Sequence, residues 1–309
     1  MKSIVIYDSH TGNTKKIAEA IRAGMSQTGE QCDIARLKDV APQDLAGYDL
    51  IGMGSPVINT RELPNVTDFI ESMESLDGKH SFAFCTHGAL PGHYLARVVP
   101  AMIQRGLIVI GWKDWFCSVI YPVCPKPYFT DEHPDAIDLK EAEDFGREMV
   151  ERSRRIYQGE TQLIPTLPKG KEYDAIYRPV GAPKELFAKF MKVNNGMRFK
   201  VNTEKCKYPK CTYCIDNCPA GSIDFSISRN IFNCNTKCWL CEQTCPQSAI
   251  EVDWVPYQTV HDPLVTGWLQ KSLEAFEARG RFRRLVPLED IGWDTPVWRF
   301  KKPPRFKIP

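Results

Sequence analysis

Two matching runs of cysteine constrain this chain more than any other feature. Eight of its twelve cysteines lie between residues 206 and 245. The first run is Cys206, Cys211, Cys214 and Cys218, the second is Cys234, Cys238, Cys241 and Cys245, and a proline follows the last cysteine of each. The segments after the runs, 220–224 and 247–251, are also alike. This duplication predicts a module with pseudo-two-fold symmetry.

The spacing within each run is typical of iron–sulfur ligation. A C-x2-C-x3-C-P run supplies neighbouring thiolates to one [4Fe-4S] cluster, while its last cysteine reaches the other cluster. Zinc also takes four cysteines, but its sites usually pair knuckles from separate places and do not call for a repeated Cys-Pro. We therefore expect two clusters rather than zinc. The predicted ligands are Cys206, Cys211, Cys214 and Cys245 for one, and Cys234, Cys238, Cys241 and Cys218 for the other.

On these motifs, residues 198–253 resemble the bacterial two-cluster ferredoxins. The gap between the first two cysteines is four residues in the first run and three in the second, where that family commonly has two. The resemblance implies a small α+β ferredoxin-like domain, which we expect over residues 198–256.

The first 160 residues alternate short β-rich runs with helical patterns, which is typical of a doubly wound parallel sheet. Strands are predicted near Ser3–Tyr7, Cys32–Arg36, Leu50–Gly54, Ser81–Thr86 and Leu107–Val119, the last interrupted at Trp112–Trp115. Helices are predicted at Thr14–Thr28, Leu63–Met73, Tyr94–Arg105 and Leu139–Tyr157. Five strands with their crossovers make one α/β domain.

Three loops follow strand ends in this region and could line one crevice. The first, at 9–14, opens the first helix, where backbone N–H groups and hydroxyls suit a phosphate. It has no lysine and is not G-x-G-x-x-G, which excludes a nucleotide-triphosphate loop and a dinucleotide fingerprint. The alternative is an ordinary capped helix start. The other two loops are 54–60 and 86–92.

The first loop resembles the T/S-x-T-G-x-T phosphate loop of the flavodoxin family, and the match extends over residues 1–160. That resemblance implies a five-stranded sheet of order 2-1-3-4-5 with FMN at the carboxyl ends of its strands. The phosphate would be held by Ser9, Thr11, Gly12, Asn13 and Thr14, with His10 at a variable position. The flavin ring would lie between the other loops, at Ser55, Pro56, Val57, Ile58, Asn59 and Thr60, and at Thr86, His87, Gly88 and Ala89.

The whole chain resembles the flavodoxin–ferredoxin fusion proteins of anaerobic bacteria and archaea. The resemblance implies low-potential electron transfer between a ferredoxin-type or reductase donor and a downstream oxidoreductase. The alternative is an FMN-dependent reductase of a small substrate, fed by its own clusters. His87, Asn59 and Arg61 would then be the catalytic candidates, although a single histidine is more often structural.

The remaining segments are predicted to connect and cover these domains. Residues 161–197 would be a linker with a short helix at Lys184–Lys192, and 257–309 a helix at Pro263–Arg279 with a basic aromatic tail packing across the domains. A net charge of +2 gives no field that would favour nucleic acid. No apolar run approaches the ~20 residues of a membrane span. With no export signal, we expect a cytoplasmic protein, and a homodimer stays open.

Overall fold

The computed structural model describes residues 1–119, 121, 124–229, 232–234 and 236–293, with the side chains of 258, 261–263 and 266 left out. The chain divides into two compact units. The first contains Met1–Ser118 and Glu132–Arg178, and the second contains Val119–Asp131 and the chain from Pro179 onward. Residues 294–309 of the predicted tail lie outside the described residues. The four-part division proposed from the sequence stays a prediction.

The first unit is built on a parallel sheet of five strands in the order β2-β1-β3-β4-β5. This confirms the predicted flavodoxin-like topology. The strands are β1 Lys2–Tyr7, β2 Gln31–Arg36, β3 Leu50–Pro56, β4 His80–His87 and β5 Ile108–Phe116. The order reverses between β1 and β3, and in such sheets ligands bind outside the carboxyl ends of the strands at that point.

Helices cover both faces of this sheet. They are α1 Asn13–Ser26, α2 Pro64–Ser72, α3 Tyr94–Gln104 and α4 Ala136–Tyr157, followed by α5 Gly170–Tyr177. Alternate residues of β1 face opposite sides because side chains alternate along a strand. Ile4 and Ile6 pack with α2 and α3, whereas Val5 and Tyr7 pack with α1 and α4. Two hydrophobic layers therefore hold the strand ends in place.

Two sequence expectations for this unit are wrong. Strand β5 is continuous through Trp112–Trp115 and ends at Phe116. The charged pair at its centre finds partners on neighbouring elements, because Lys113 lies 3.2 Å from Glu141 and Asp114 lies 3.0 Å from His87. Helix α5 lies in the segment that we interpreted as a connector, and its Tyr173 and Tyr177 are buried in the core under α3.

The second unit contains a small two-stranded sheet. Strand β6, Phe199–Val201, pairs antiparallel with β7, Ile250–Val252, and a single bridge joins Ile223 to Phe232. Helices α6 Lys184–Gly196, α7 Tyr213–Asp216 and α8 Leu240–Thr244 precede β7. Val201, Ile223 and Phe225 form a small core against which several cysteines pack.

Helical structure after β7 begins earlier than the sequence indicated. Helix α9 spans Val255–Leu264, a π-helical turn follows at Val265–Gln270, and α10 spans Lys271–Glu277. The predicted start at Pro263 is therefore wrong, since proline is tolerated here inside a longer helical run. No helix within the described residues has the length and apolar character needed to cross a bilayer.

Candidate functional sites

The loop between β1 and α1 is stabilised by hydrogen bonds to the side chain of its own serine. Ser9 Oγ accepts the N–H of Gly12 at 3.1 Å and that of Lys15 at 3.3 Å. Gly12 precedes the helix with a φ of 91°. Within the described residues, the N–H groups of Thr11, Asn13 and Thr14 donate to no protein acceptor. A helix start leaves such donors unused, and N–H groups of this kind can bind an anion.

Side chains at the start of α1 tie this loop to its neighbours. The hydroxyls of Thr14 and Thr86 lie 2.8 Å apart and are buried. Asn13 Nδ2 donates to the carbonyl of Ser118 at 2.8 Å. The structure thus brings the first and third predicted loops together. The Thr14 hydroxyl already has a protein partner, so this residue positions the loop through its side chain.

The second loop is a tight hairpin turn. Ile58 and Arg61 exchange backbone hydrogen bonds of 3.0 and 3.1 Å, while Asn59 and Thr60 have φ values of 50° and 67°. Positive φ at both central residues is the signature of a type I′ turn. The sequence does not indicate this turn, because Asn-Thr lacks the glycine that usually marks a type I′ turn.

Backbone hydrogen bonds fasten this hairpin to the third loop. Val57 N–H donates to the carbonyl of Thr86 at 2.8 Å, and His93 N–H donates to that of Thr60 at 2.7 Å. A Cβ built on Gly92 would lie 2.4 Å from the same carbonyl oxygen of Thr60. The two loops predicted to flank a ring are therefore in direct contact, and Gly92 and His93 form part of that contact.

Two buried polar atoms beside the first loop have no hydrogen-bond partner in the part of the chain that the structure describes. They are His10 Nε2 and Asn65 Oδ1. Burial lowers the pKa of His10, and the nearby carboxylate of Asp8 opposes that effect. Asp8 accepts the N–H of Ser9 at 2.7 Å and that of Asn65 Nδ2 at 2.6 Å. Unpartnered buried polar groups suit a polar ligand; Asp8 and Asn65 gave no sequence signal.

The three catalytic candidates occupy different surroundings. The imidazole of His87 is buried, lies 3.0 Å from Asp114 Oδ2 through Nε2, and meets the edge of Phe116 at 4.6 Å. Asn59 lies half-buried at the hairpin turn, and Arg61 is exposed. His87 is thus committed to a structural pair inside the sheet. Arg61 and Asn59 stay accessible on the hairpin.

The eight clustered cysteines line two cavities in the second unit. One cavity is lined by Cys206, Cys211, Cys214 and Cys245. The other is lined by Cys218, Cys234, Cys238 and Cys241, and Cys214 also contributes to it. The last cysteine of each run therefore joins the three leading cysteines of the other run. This is the crossed grouping that the spacing predicted.

The cysteine sulfurs in these cavities are not gathered as closely as the ligands of a single zinc ion. Tetrahedral zinc with bonds of ~2.3 Å holds its sulfurs about 3.8 Å from one another. All eight cysteines are described, and no three of their sulfurs lie within 4.8 Å of one another. The one described group that meets this limit is His133, Asp135 and Asp138, which cap the start of α4.

Burial and mutual repulsion raise the pKa of some of these thiols. Burial and the nearby sulfurs of Cys245, Cys206 and Cys211 together raise the pKa of Cys214 to about 11. Burial likewise raises the pKa of Cys238 to about 12, with contributions from Cys234 and Cys218. Each thiol thus interacts with members of its own cavity. A bound cation would favour the thiolates by displacing protons.

The internal repeat extends to backbone hydrogen bonds. Ser222 N–H donates to Cys218 Sγ at 3.3 Å, and Ala249 N–H donates to Cys245 Sγ at the same distance. Gly221 and Ser248 precede these donors with φ values of 54° and 47°. A serine in this left-handed region is uncommon. Each Cys-Pro turn is therefore shaped to aim an N–H group at its own sulfur.

Comparisons with known proteins match the N-terminal half. A family model described as a flavodoxin domain matches residues 4–95. An uncharacterised protein of Methanocaldococcus jannaschii is 26% identical over 156 residues, which is 48% of this chain and 99% of that protein. The flavodoxin of Megasphaera elsdenii is 29% identical over 110 residues, which is 35% of this chain and 80% of that protein. A solved archaeal flavodoxin superposes with a TM-score of 0.41 at 24% identity, covering 50% of this chain and 99% of that one.

The matched region covers β1 from residue 4 and all of β2, β3 and β4 in the sheet of order 2-1-3-4-5, and β5 lies after it. The same residues carry the helix start with its unused N–H groups and the two joined loops at the carboxyl ends of the strands. Sequence similarity and topology therefore agree, and the N-terminal half of this chain is a flavodoxin-like domain.

Proposed function

We propose that this protein transfers electrons between a bound FMN and two [4Fe-4S] clusters, and so links one-electron with two-electron redox partners. A flavin exchanges electrons singly or in pairs, whereas each cluster passes one at a time. The observation that carries the proposal is the crossed grouping of eight cysteines around two cavities. It occurs in a chain whose other unit has the flavodoxin-like fold.

The first unit fits FMN on the observations above. The unused N–H groups of Thr11, Asn13 and Thr14 would hold the phosphate, and the loop hydroxyls of Ser9 and Thr11 would add donors. Asn65 Oδ1 offers a buried acceptor, which suits a hydroxyl of the ribityl chain. The hairpin at 57–60 and the loop at 86–89 would enclose the ring. FMN would supply the two-electron chemistry, while these residues bind and orient it.

The second unit fits two clusters. Cys206, Cys211, Cys214 and Cys245 would hold the first cluster, and Cys218, Cys234, Cys238 and Cys241 the second. The N–H groups of Ser222 and Ala249 would stabilise negative charge on one ligand of each. We assign residues 198–256 as a ferredoxin-like domain on this basis, fused to a flavin domain at 1–160.

A carrier is favoured over a substrate reductase by the state of His87. A reductase needs a proton donor beside the flavin, and His87 is buried and paired with Asp114 inside the sheet. The partners would be a ferredoxin-type or reductase donor and a downstream oxidoreductase, in the cytoplasm. A substrate reductase would instead show turnover that depends on Asn59 or Arg61, the accessible residues of the hairpin.

Cofactor analysis of protein purified without oxygen tests this proposal. We expect about one FMN, eight iron ions and eight sulfide ions per chain, because eight cysteines serve two cubane clusters. Stoichiometric zinc without sulfide would overturn the cluster assignment. Absence of flavin after reconstitution with FMN would overturn the assignment of the first unit.

A reciprocal pair of variants tests the crossed ligand sets. Cys245→Ala should remove the cluster of the first run, and Cys218→Ala should remove that of the second run, each with loss of about half the iron. Cys124→Ala is the matched control, since Cys124 lies buried in the same unit away from both cavities. If Cys245→Ala left the first cluster's signal in electron paramagnetic resonance (EPR) spectra intact, the grouping would be wrong.

A further inference from the structure

The two cysteine runs carry a lysine at the same place but in different surroundings. Lys210 immediately precedes Cys211, and Lys237 immediately precedes Cys238, so the repeat relates the two lysines. Lys210 is exposed to solvent, whereas Lys237 retains only 5% of its accessible surface. A buried lysine is uncommon in proteins unless its charge is compensated. The two lysines related by the repeat therefore differ in environment, since Lys210 faces solvent and Lys237 lies in the protein interior.

The contacts of Lys237 hold its ammonium against two aromatic rings that line the second cavity. Nζ donates to the carbonyl of Met197 at 3.0 Å. It also lies 5.1 Å from the ring centroid of Phe199 and 5.8 Å from that of Trp239, within the range of cation–π attraction. Both rings line the second cavity. The backbone N–H of Lys237 points at Cys234 Sγ at 3.4 Å.

We propose that Lys237 is a tuning residue that raises the reduction potential of the cluster held by the second cysteine set. This inference rests on the proposed function. Reduction adds a negative charge to a cluster that its four thiolates already make anionic. A fixed cation beside it stabilises the reduced state, and the low-dielectric interior leaves that attraction poorly screened.

Lys210 makes no equivalent contribution to the first cluster, because water and salt screen an exposed charge. Two clusters with the same ligand types therefore acquire different potentials. The ammonium biases electrons toward the second cluster. Burial of that cavity acts in the opposite direction, since desolvation disfavours the more highly charged form. Only a change at Lys237 itself separates the two effects.

The test is an EPR-monitored redox titration of the full-length protein under anaerobic conditions. The two signals are assigned with Cys245→Ala and Cys218→Ala, and iron is measured in every sample. Lys237→Met should lower the equilibrium constant for one-electron reduction of the second cluster about tenfold, which lowers its reduction potential by ~59 mV. Lys237→Arg keeps the charge and should change that constant by less than about twofold. Lys210→Met is the matched control and should change the equilibrium constant for reduction of the first cluster by less than about twofold.

Ionic strength gives an independent readout. The effect of Lys237→Met should persist at high salt, whereas any effect of Lys210→Met should vanish. Equal shifts in the two methionine variants, or no shift in Lys237→Met, would overturn the proposal. If Lys237→Met failed to assemble its cluster, Lys237→Gln would carry the same comparison. A wild-type protein without eight irons would instead defeat the proposed function, so the two failures are distinguishable.

Discussion

Replacing Gly92 with alanine should loosen the contact between the two loops that would flank the flavin. Gly92 has a φ of +60°, and a Cβ there would lie 2.4 Å from the carbonyl oxygen and 2.6 Å from the Cβ of Thr60. The left-handed backbone costs an alanine about 1–2 kcal/mol. Forcing the hairpin backbone aside adds about 1–3 kcal/mol. We expect a total loss of roughly 2–5 kcal/mol in the free energy of unfolding.

Gly29→Ala provides the matched control for this change. Gly29 has a φ of +84°, and a Cβ there meets nothing within 4 Å, so the control incurs backbone strain without a clash. Urea unfolding of the FMN-free protein measures both variants, and flavin fluorescence measures their FMN affinity. Gly92→Ala should weaken FMN binding about tenfold, or ~1.4 kcal/mol, and Gly29→Ala should leave it unchanged. Equal losses of stability in the two variants would refute the tight approach of Gly92 to Thr60.

Three further changes probe the first unit. Thr11→Glu should abolish FMN binding, because a carboxylate would face the phosphate dianion, and equilibrium dialysis with retained iron content would show this. Thr14→Val should lower the free energy of unfolding by about 1–3 kcal/mol, because it leaves the buried hydroxyl of Thr86 without its 2.8 Å partner. Burial lowers the pKa of His80 below its ordinary 6.5, so stability should fall as pH drops below that value. His80→Gln should flatten this fall in urea unfolding, and an unchanged slope would contradict the assignment.

Much of the sheet was predictable because its signals are local. Short apolar runs such as Ser3–Tyr7 are bounded by polar loops, and the structure confirms a strand at each of the five predicted places. Strand β5 was the exception in detail. Its Lys113 and Asp114 break the apolar pattern, but their partners Glu141 and His87 are distant in sequence. The hydrophobic periodicity of a strand does not show that its charged residues are paired with charges on another element.

The candidate sites divide in the same way. The crossed cysteine grouping followed from spacing, because the ligand order is a property of the repeat itself. The roles of Asp8, Asn65 and His93 did not, since each acts through a hydrogen bond made possible only by the meeting of strand-end loops. His87 illustrates the converse. Its type and position made it a candidate, and its pairing with Asp114 in β5 is a contact that no local sequence pattern indicates.

The sequence alone indicated the positions of the strands, the cysteine repeat and the crossed sets proposed from it, because these depend on periodicity and spacing along the chain, and the resemblance to flavodoxins added the strand order. The tertiary structure decided which residues at equivalent places in the repeat differ in burial. Lys210 and Lys237 occupy the same place in the repeat, yet only Lys237 is enclosed by Met197, Phe199 and Trp239. Burial depends on what the rest of the fold brings against a residue, and a local sequence pattern does not contain that information.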